Sequence, residues 1–345
     1  MGANIEKVHL RDNDGLPKVC WGISSTAYTA KVIAEVERVI GTGKCGCMCL
    51  PKKSVSTPLA TGYRPKCNDS RELDNEEQNC CQSLAGMLRW LAELGRLDML
   101  HPVSLMSRCL AQACIGHVNQ VSRIFACLKN CGKSKIVMDP TSPVADESRF
   151  QKCDWTECCP DAKELTDPLG KPEPRGRTVR VSCFVDADHA GCRITRRSHT
   201  GMLIFCNRSP ILWFSERQTT VESSTFGSEI VAMRIAVEMT EGLQCKLRMM
   251  GVPVDGSADV YCDDESVVKN TSRPESPLKK KHQAVSWHCT REACAGSILR
   301  MAKEDTKTNV GDPFTKSFNA GRLKELSSRC MWTDCVKRNK ETANN

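Results

Sequence analysis

No run of 18 or more apolar residues occurs in this 345-residue sequence. A membrane-spanning helix needs about that length, so we expect no membrane span. Residues 1–15 are charged early and lack the apolar segment of a secretory signal peptide, so secretion is not indicated. These two absences favour a protein that acts inside the cell without a membrane partner.

Paired C-x-x-C units are also absent, although the chain contains 23 cysteines. The C-x-C-x-C run at residues 45–49 has the wrong spacing for a zinc site. Adjacent cysteines at Cys80–Cys81 and Cys158–Cys159 do not suit a disulfide framework, because neighbouring cysteines rarely bridge. We therefore expect reduced thiols, most of them buried as small apolar groups.

The length is sufficient for two domains of ordinary size, and the composition of 40% apolar and 26% charged residues is typical of a soluble globular protein. The formal net charge is +8, and basic residues collect in three segments, Arg175–Arg180, Arg193–Arg197 and Lys279–His282. If these basic residues are spread over the surface, they are ordinary solvated side chains. Gathered near one cleft they would bind phosphates.

The pattern along the chain changes near residue 178. Apolar residues recur at helical spacing between Leu84 and Leu128, after a further helix predicted over Tyr28–Ile40. Residues 139–177 are rich in Pro, Asp, Glu and Lys and are typical of a linker. Beyond them the pattern predicts strands and helices in the order strand, strand, strand, helix, strand, helix, helix, strand, helix. The predicted segments are Val179–Val185, Met202–Cys206, Ile211–Phe214, Phe226–Met250, Ala258–Cys262, Glu265–Asn270, Gln283–Ala295 and Ser297–Met301, with a last helical start at Asp312.

Four acids occupy unusual places in this second part. Asp186 follows an apolar strand, with Asp188 on the same face, and Asp263 ends another strand. Glu229 lies on or beside the apolar stripe of its helix, where an unpaired carboxylate would cost several kcal/mol, roughly. Asp312 precedes a proline, which suits a helix N-cap.

A cluster of such acids repels itself unless cations bind it. Hard oxygen ligands select Mg²⁺ or Mn²⁺, and two such ions can act together on a phosphodiester. An alternative is a polymerase site, because Tyr261-Cys262-Asp263-Asp264 matches the Y-x-D-D motif of a reverse transcriptase palm. That motif needs a hairpin turn, whereas Glu265–Lys269 predicts the start of a helix, so the pattern favours a nuclease.

The residues around these acids resemble the Pol polyproteins of copia-type LTR retrotransposons. The segments FVDADHAGCRITRRSHTGMLIF, WFSERQTTVESSTFGSEIVAMRIAVE, VYCDDESVVKN and LKKKHQAVSWHCTREACAGSILRMAKEDTKTNVGDPFTK are similar, in this order, to the RNase H domain of that family. The upstream CQSLAGMLRWLAELGRLDML and HVNQVSRIFACLKN are similar to the segment that joins polymerase and RNase H. The resemblance thus covers most of the chain.

The resemblance implies a fold, a site and an activity. The fold class is α/β, an RNase H-like mixed five-stranded sheet flanked by helices, preceded by a mainly helical reverse-transcriptase connection segment. Asp186, Glu229, Asp263 and Asp312 match the catalytic, metal-binding carboxylates. The implied reaction is hydrolysis of the RNA strand of an RNA–DNA hybrid by a mechanism with two Mg²⁺ or Mn²⁺ ions. Accessory contacts to nucleic acid are assigned to the basic residues Arg196, Arg197, Lys279, Lys280 and Lys281.

The implied organisation is a truncated thumb- or connection-like region over 1–138, a linker over 139–178, an RNase H-like domain over 179–318 and a tail over 319–345. The chain lacks the polymerase palm, so we expect no DNA synthesis. The resemblance implies the polymerase portion of Pol as a partner and a cytoplasmic particle or the nucleus as the location. Asp188 and Asp264 receive supporting roles at most, and His282 and His288 none.

The sequence also departs from the family pattern. Gly311 and Pro313 flank Asp312 where small and aliphatic residues are usual, and cysteines replace bulky residues at several places, including Cys80–Cys81, Cys158–Cys159 and Cys206. If several of these cysteines are buried, the smaller side chains would together lower the free energy of unfolding by roughly a few kcal/mol, because the core would be underpacked. The alternative hypothesis is therefore a degenerate, inactive remnant that at most binds nucleic acid.

Overall fold

A computed structural model of the chain describes residues 2–11, 15–43, 48–66, 68–131, 134–164, 169–278 and 280–333. The elements of the first part are β1 (Asn4–Arg11), β2 (Pro17–Ser24), α1 (Thr26–Gly41), α2 (Asn75–Glu93), α3 (Leu100–Ser107), α4 (Ile115–Asn130) and β3 (Ser134–Met138). Those of the second part are β4 (Val181–Asp188), β5 (His199–Cys206), β6 (Ser209–Arg217), α5 (Thr225–Met249), β7 (Ala258–Cys262), α6 (Glu265–Ser272), α7 (Ala284–Ala295), β8 (Leu299–Lys303), α8 (Ala320–Ser327) and β9 (Trp332–Thr333).

The second part is built on a mixed five-stranded sheet with the order β6-β5-β4-β7-β8. Strands β6, β5 and β4 pair antiparallel, whereas β4, β7 and β8 pair parallel. The long helix α5 makes the connection from β6 to β7 and packs on β4 and β5. The sequence-based prediction of a mixed five-stranded sheet flanked by helices is therefore confirmed.

Strand β4 is buried on both faces, and its alternate residues belong to different cores. Val181, Cys183 and Val185 pack with Ile230 and Met233 of α5. Phe184 instead packs with a second cluster, which contains Leu203, Phe205 and Phe314 together with Leu97 and Leu100 of the N-terminal part. The N-terminal part thus covers the sheet face opposite α5, and Asp186 lies on that covered face.

The N-terminal part contains helices α1 to α4, whose apolar stripes share one core. It also contains a sheet with the order β1-β2-β3-β9, which was not predicted. In the β1–β2 hairpin, Ile5, Val19 and Trp21 are exposed, so the hydrophobic alternation that marks a half-buried strand is weak. Strand β9 belongs to the segment expected as a tail and pairs with β3.

Part of the segment 139–178 packs on the sheet at β7 and β8, on the face that also carries Phe184. Phe150 packs against Tyr261 of β7 and Ala302 of β8. Arg300 of β8 pairs with Glu147 and, at 2.6 Å, with the buried carboxylate of Asp259. The segment is therefore anchored to the sheet by apolar packing and by ion pairs.

All cysteines among the described residues are free thiols, and most are buried or half-buried, as expected. Of the five cysteines at positions where the family has bulky residues, Cys81 is buried and Cys158 is exposed. The other three are half-buried. The expected loss of core packing therefore applies in full to Cys81 alone among these five cysteines. Cys45 and Cys47 lie outside the described residues. None of the described helices has the length and apolarity needed to cross a membrane.

Candidate active site

The ends of two parallel strands bring the first two carboxylates together. Val185 of β4 lies beside Cys262 of β7 in the parallel register, so Asp186 and Asp263 follow side by side. Asp186 is 1% exposed, whereas Asp263 is half-buried. This adjacency is what the order of strands predicts, because parallel neighbours end at the same edge of a sheet.

Glu229 reaches the same edge from helix α5. The helix begins after Ser224, whose hydroxyl accepts a hydrogen bond from the Gly227 N–H, and this cap places Glu229 in the second turn. The Glu229 carboxylate is buried, and its Oε1 accepts a hydrogen bond from the Ala187 N–H at 3.3 Å. Its Oε2 is buried without a hydrogen-bond partner among the described residues.

Asp312 comes from a short helical turn, Asp312–Phe314, that packs on the sheet face of Asp186. The prediction that Asp312 caps a helix is wrong. Gly311 holds the cap position, and the Asp312 side chain turns to Lys316, at 3.0 Å from Oδ1 to Nζ. The Asp312 carboxylate is directed to the other acids of the cluster.

The four carboxylates form two overlapping groups of potential metal ligands. One ligand oxygen from each of Asp186, Asp263 and Asp312 lies within 4.8 Å of the others. Ligand atoms of Glu229, Cys262 and Asp263 form a second group within the same limit. Asp263 belongs to both groups, so the structure brings all four predicted carboxylates to one place.

Crowding and burial make this site electrostatically unfavourable without a cation. Burial, followed by the charge of Asp186, raises the pKa of Asp312 to about 7. Burial and the charges of Asp186 and Asp263 hold the pKa of Glu229 well above its usual range. The pKa of Asp263 is raised by burial and by Asp186 as well. All three shifts have the direction expected when carboxylates share a buried site.

Sequence reasoning missed two residues that touch Asp186. Thr315 Oγ1 donates a hydrogen bond to Asp186 Oδ2, and Lys316 Nζ lies 3.0 Å from Asp186 Oδ1. Both residues immediately follow the turn that carries Asp312. An available signal was the spacing of Asp312 and Lys316, since an acid and a base four residues apart on a helical turn face the same side.

The neighbouring acids Asp188 and Asp264 have other partners. Asp188 Oδ1 accepts a hydrogen bond from Arg64 of the N-terminal part at 2.7 Å. Asp264 caps helix α6 by accepting from the Val267 N–H at 3.0 Å. The Tyr261–Asp264 motif therefore ends a central strand and starts a helix, and the hairpin that a polymerase site requires is not formed there.

Two of the basic residues assigned to nucleic acid, Arg197 and Lys280, contact elements that carry the cluster. Arg196 and Arg197 lie in the loop between β4 and β5, and Arg197 lines a small cavity with Asp188 and Thr315. Lys280 Nζ lies 2.8 Å from the hydroxyl of Ser224, the cap of the helix that carries Glu229. Lys281, the next residue, is exposed. Lys279 lies outside the described residues.

A buried hydrogen-bond chain connects the N-terminal part to the turn of Asp312. Arg108 Nη2 donates to His199 Nδ1 at 2.8 Å, and His199 Nε2 lies 2.8 Å from Ser215 Oγ. Ser215 Oγ in turn donates to the Phe314 carbonyl at 2.7 Å. Burial lowers the pKa of His199 well below its usual range, so the ring is neutral and donates through Nε2.

Gly201 of β5 lies opposite Asp186 and leaves room for the same turn. A Cβ at this position would lie 2.7 Å from Phe314 Cβ, which is too close for two carbon atoms. We predict that Gly201→Ala lowers the free energy of unfolding by about 1–3 kcal/mol, as overpacking does elsewhere. Urea unfolding measures this, with Gly242→Ala as control, because a Cβ there meets nothing within 4 Å. Equal stability of the wild type and Gly201→Ala would contradict the close approach.

No protein-family profile matches the chain. Curated relatives include the Retrovirus-related Pol polyprotein from transposon RE2 of Arabidopsis thaliana, 21% identical over 81% of this chain and 17% of its own length. The corresponding protein from transposon RE1 of the same plant is 23% identical over 45% of this chain and 11% of its length. That from transposon TNT 1-94 of Nicotiana tabacum is 30% identical over 41% of this chain and 11% of its length. The chain thus spans less than a fifth of each relative, and its predicted resemblance to retrotransposon Pol polyproteins is confirmed.

Solved structures that resemble the chain include RNase H domains. The N-terminal RNase H domain of Rv2228c from Mycobacterium tuberculosis is 10% identical, with a TM-score of 0.30, over 44% of this chain and 98% of that domain. An LC11-RNase H1 solved in complex with an RNA/DNA hybrid is 16% identical, with a TM-score of 0.30, over 38% of this chain and 88% of its own.

Proposed function

We propose that the chain is the RNase H-type nuclease part of a retrotransposon Pol polyprotein, and that it hydrolyses the RNA strand of RNA–DNA hybrids with two Mg²⁺ or Mn²⁺ ions. The observation that carries the proposal is the pair of ligand groups that share Asp263. Two ions held close together are what metal-assisted hydrolysis of a phosphodiester uses. The similarity to Pol polyproteins supports the same conclusion.

The carboxylates of the two groups fit such ions, whereas the Cys262 thiol of the second group is not a ligand that they prefer. Carboxylate oxygens are the ligands that Mg²⁺ and Mn²⁺ prefer. The unpartnered Oε2 of Glu229 is a buried acceptor, which is unfavourable unless a cation or donor meets it. The raised pKa values of Glu229, Asp263 and Asp312 indicate the same unmet need for positive charge.

In this proposal, Asp186, Glu229, Asp263 and Asp312 hold the ions. When bound, the ions would supply a water nucleophile at neutral pH and stabilise the departing oxygen. The protein's own residues fix the carboxylates, Glu229 through the Ala187 N–H and Asp186 through Thr315. Arg196, Arg197, Lys280 and Lys281 would contact backbone phosphates, and the 2′-hydroxyl would distinguish RNA from DNA.

The domain boundaries remain proposals: a connection-like region over 1–138, a linker over 139–178, the nuclease domain over 179–318 and a C-terminal segment over 319–345. The buried contacts of Leu97 and Leu100 with the sheet face of Asp186 support a nuclease domain that depends on the preceding region. The polymerase portion of Pol is the proposed partner, and a cytoplasmic particle or the nucleus is the proposed place of action.

Cleavage of end-labelled substrates tests the proposal. We predict that the full chain cleaves the RNA strand of a hybrid in the presence of Mg²⁺ or Mn²⁺, and that EDTA abolishes cleavage. Duplex DNA of the same sequence should stay intact, because its strands have no 2′-hydroxyl. Salt-sensitive binding of the hybrid without cleavage under any metal condition would instead support the inactive remnant.

A further inference from the structure

The Lys316 ammonium occupies one side of the carboxylate cluster. Its Nζ lies 3.0 Å from Asp186 Oδ1 and 3.0 Å from Asp312 Oδ1. Asp186 and Asp312 are 1% and 2% exposed, so the ion pairs are made in a largely desolvated place. A positive charge fixed between two buried carboxylates reduces their mutual repulsion.

Both oxygens of Asp186 are engaged in this arrangement. Lys316 takes Oδ1, and the Thr315 hydroxyl takes Oδ2. Asp186 and Asp312 are also two of the three acids in the first ligand group. A metal ion that uses these carboxylates therefore meets an ammonium that is already paired with both of them.

The second ligand group lacks this competitor. Among the described residues, the ion pairs of Lys316 go to Asp186 and Asp312, whereas Glu229 Oε2 has no partner. The single ammonium thus forms its ion pairs with Asp186 and Asp312, whereas no ion pair to Glu229 or Asp263 is formed among the described residues. The two groups should differ in their affinity for cations for this reason.

Lys316 is placed so that it can leave. Its side chain is 32% exposed, unlike the carboxylates that it contacts. Its backbone N–H is bonded to the Asp312 carbonyl at 3.0 Å, so the turn can stay in place while the flexible side chain rotates into solvent. The charges of Asp186 and Asp312 outweigh the effect of burial and raise the pKa of Lys316, so the group is a cation at any physiological pH.

We propose that the Lys316 ammonium is a built-in counter-ion, which holds Asp186 and Asp312 together in the metal-free protein and is released from them when a divalent ion binds there. This inference rests on the proposed function, because it assumes that the cluster takes divalent metal. Lys316 then has two effects. It stabilises the metal-free fold, and it lowers the affinity of the Asp186–Asp312 side for metal.

The test is Mn²⁺ binding to the full chain by titration calorimetry, together with the melting temperature in EDTA and in Mn²⁺. Lys316→Met should melt at a lower temperature than the wild type in EDTA and should bind Mn²⁺ about tenfold more tightly at one site. The gain in melting temperature on adding Mn²⁺ should therefore be larger than in the wild type. Lys316→Arg, which keeps the charge, should bind Mn²⁺ less tightly than Lys316→Met, and Lys324→Met on exposed helix α8 should behave as the wild type.

Several outcomes would overturn the inference. Equal Mn²⁺ affinity of Lys316→Met and the wild type would show that Lys316 does not compete with metal. Failure of Lys316→Met to fold even in Mn²⁺ would show that metal cannot replace the ammonium, whereas folding in Mn²⁺ alone would support the proposal. If the wild type neither binds Mn²⁺ nor cleaves the hybrid, the proposed function itself is overturned. If the wild type cleaves the hybrid but Lys316→Met binds Mn²⁺ with the same affinity as the wild type, only the role of Lys316 is overturned.

Discussion

Asp263→Asn should weaken the binding of both metal ions and reduce cleavage of an RNA–DNA hybrid by about 10³-fold or more, equivalent to about 4 kcal/mol of transition-state stabilisation. The reason is that Asp263 contributes to both ligand groups, whereas Glu229 and Asp312 each belong to one. Titration calorimetry with Mn²⁺ and the initial rate of cleavage measure the two effects. Glu229→Gln, by contrast, should weaken one of the two binding events.

The matched control is Asp264→Asn, the adjacent carboxylate. Asp264 caps helix α6 through the Val267 N–H, and asparagine caps helices about as well as aspartate. This variant should therefore keep the stability, the Mn²⁺ stoichiometry and the cleavage rate of the wild type. Two Mn²⁺ ions bound with wild-type affinity by Asp263→Asn would contradict the shared-ligand arrangement.

Removing metal should make the stability of the protein depend on pH through Asp312. Its pKa rises from an ordinary 3.8 to about 7 in the fold, because of burial and then of Asp186, so the folded state binds more protons than the unfolded state in between. The protonated carboxyl therefore stabilises the fold at low pH. As pH rises from about 4 to about 7 this stabilisation is lost, and the free energy of unfolding falls by up to about 1.4 kcal/mol per pH unit. Glu229 and Asp263 shift in the same direction and strengthen the effect.

The measurement is urea unfolding in EDTA at several pH values, for the wild type and for Asp312→Asn. Asparagine does not ionise, so the variant should become more stable relative to the wild type as pH rises through that window. Asp161→Asn, which removes an exposed carboxyl, serves as the control and should show no such trend. A constant difference between Asp312→Asn and the wild type across the window would contradict the buried, crowded position of Asp312.

Much of the second part could be predicted from the sequence because its hydrophobic patterns are strong. Strand β7 was predicted with its observed bounds, and helix α5 is shifted by one residue at each end. Three of the carboxylates were identified from their position at a strand end or on a buried helical stripe. The parallel register of β4 and β7 then explains why Asp186 and Asp263 meet.

The hairpin β1–β2 could not be predicted for a physical reason. Only one face of the hairpin is buried. Strand β2 pairs with β3, which follows more than 100 residues later in the chain. Exposed Ile5, Val19 and Trp21 hide the alternation that would otherwise mark the strands. When the exposed face of a strand also carries apolar residues, the local sequence does not show the alternation of apolar and polar residues that would predict the strand.

The surroundings of Asp312 were the least predictable part of the site. The fit of its turn depends on distant groups: Gly201 leaves the space, Ser215 holds the Phe314 carbonyl, and the buried Asn309 side chain binds the Val185 carbonyl at 3.1 Å. None of these contacts follows from local spacing. Gly311, a departure from the family pattern, lies close to the backbone of β4, where a Cβ would come within 3.2 Å of the Phe184 carbonyl oxygen.

Comparison of Asp186→Asn with the wild type tests most directly the proposal that Asp186, Glu229, Asp263 and Asp312 support metal-dependent hydrolysis of RNA in a hybrid. The labelled RNA–DNA hybrid is incubated with equal amounts of folded protein in Mn²⁺, with Asp188→Asn as the neighbouring control, since Asp188 pairs with Arg64 instead. We predict cleavage of the RNA strand by the wild type and by Asp188→Asn, and none by Asp186→Asn. Equal cleavage by the wild type and Asp186→Asn would contradict the assignment of the site.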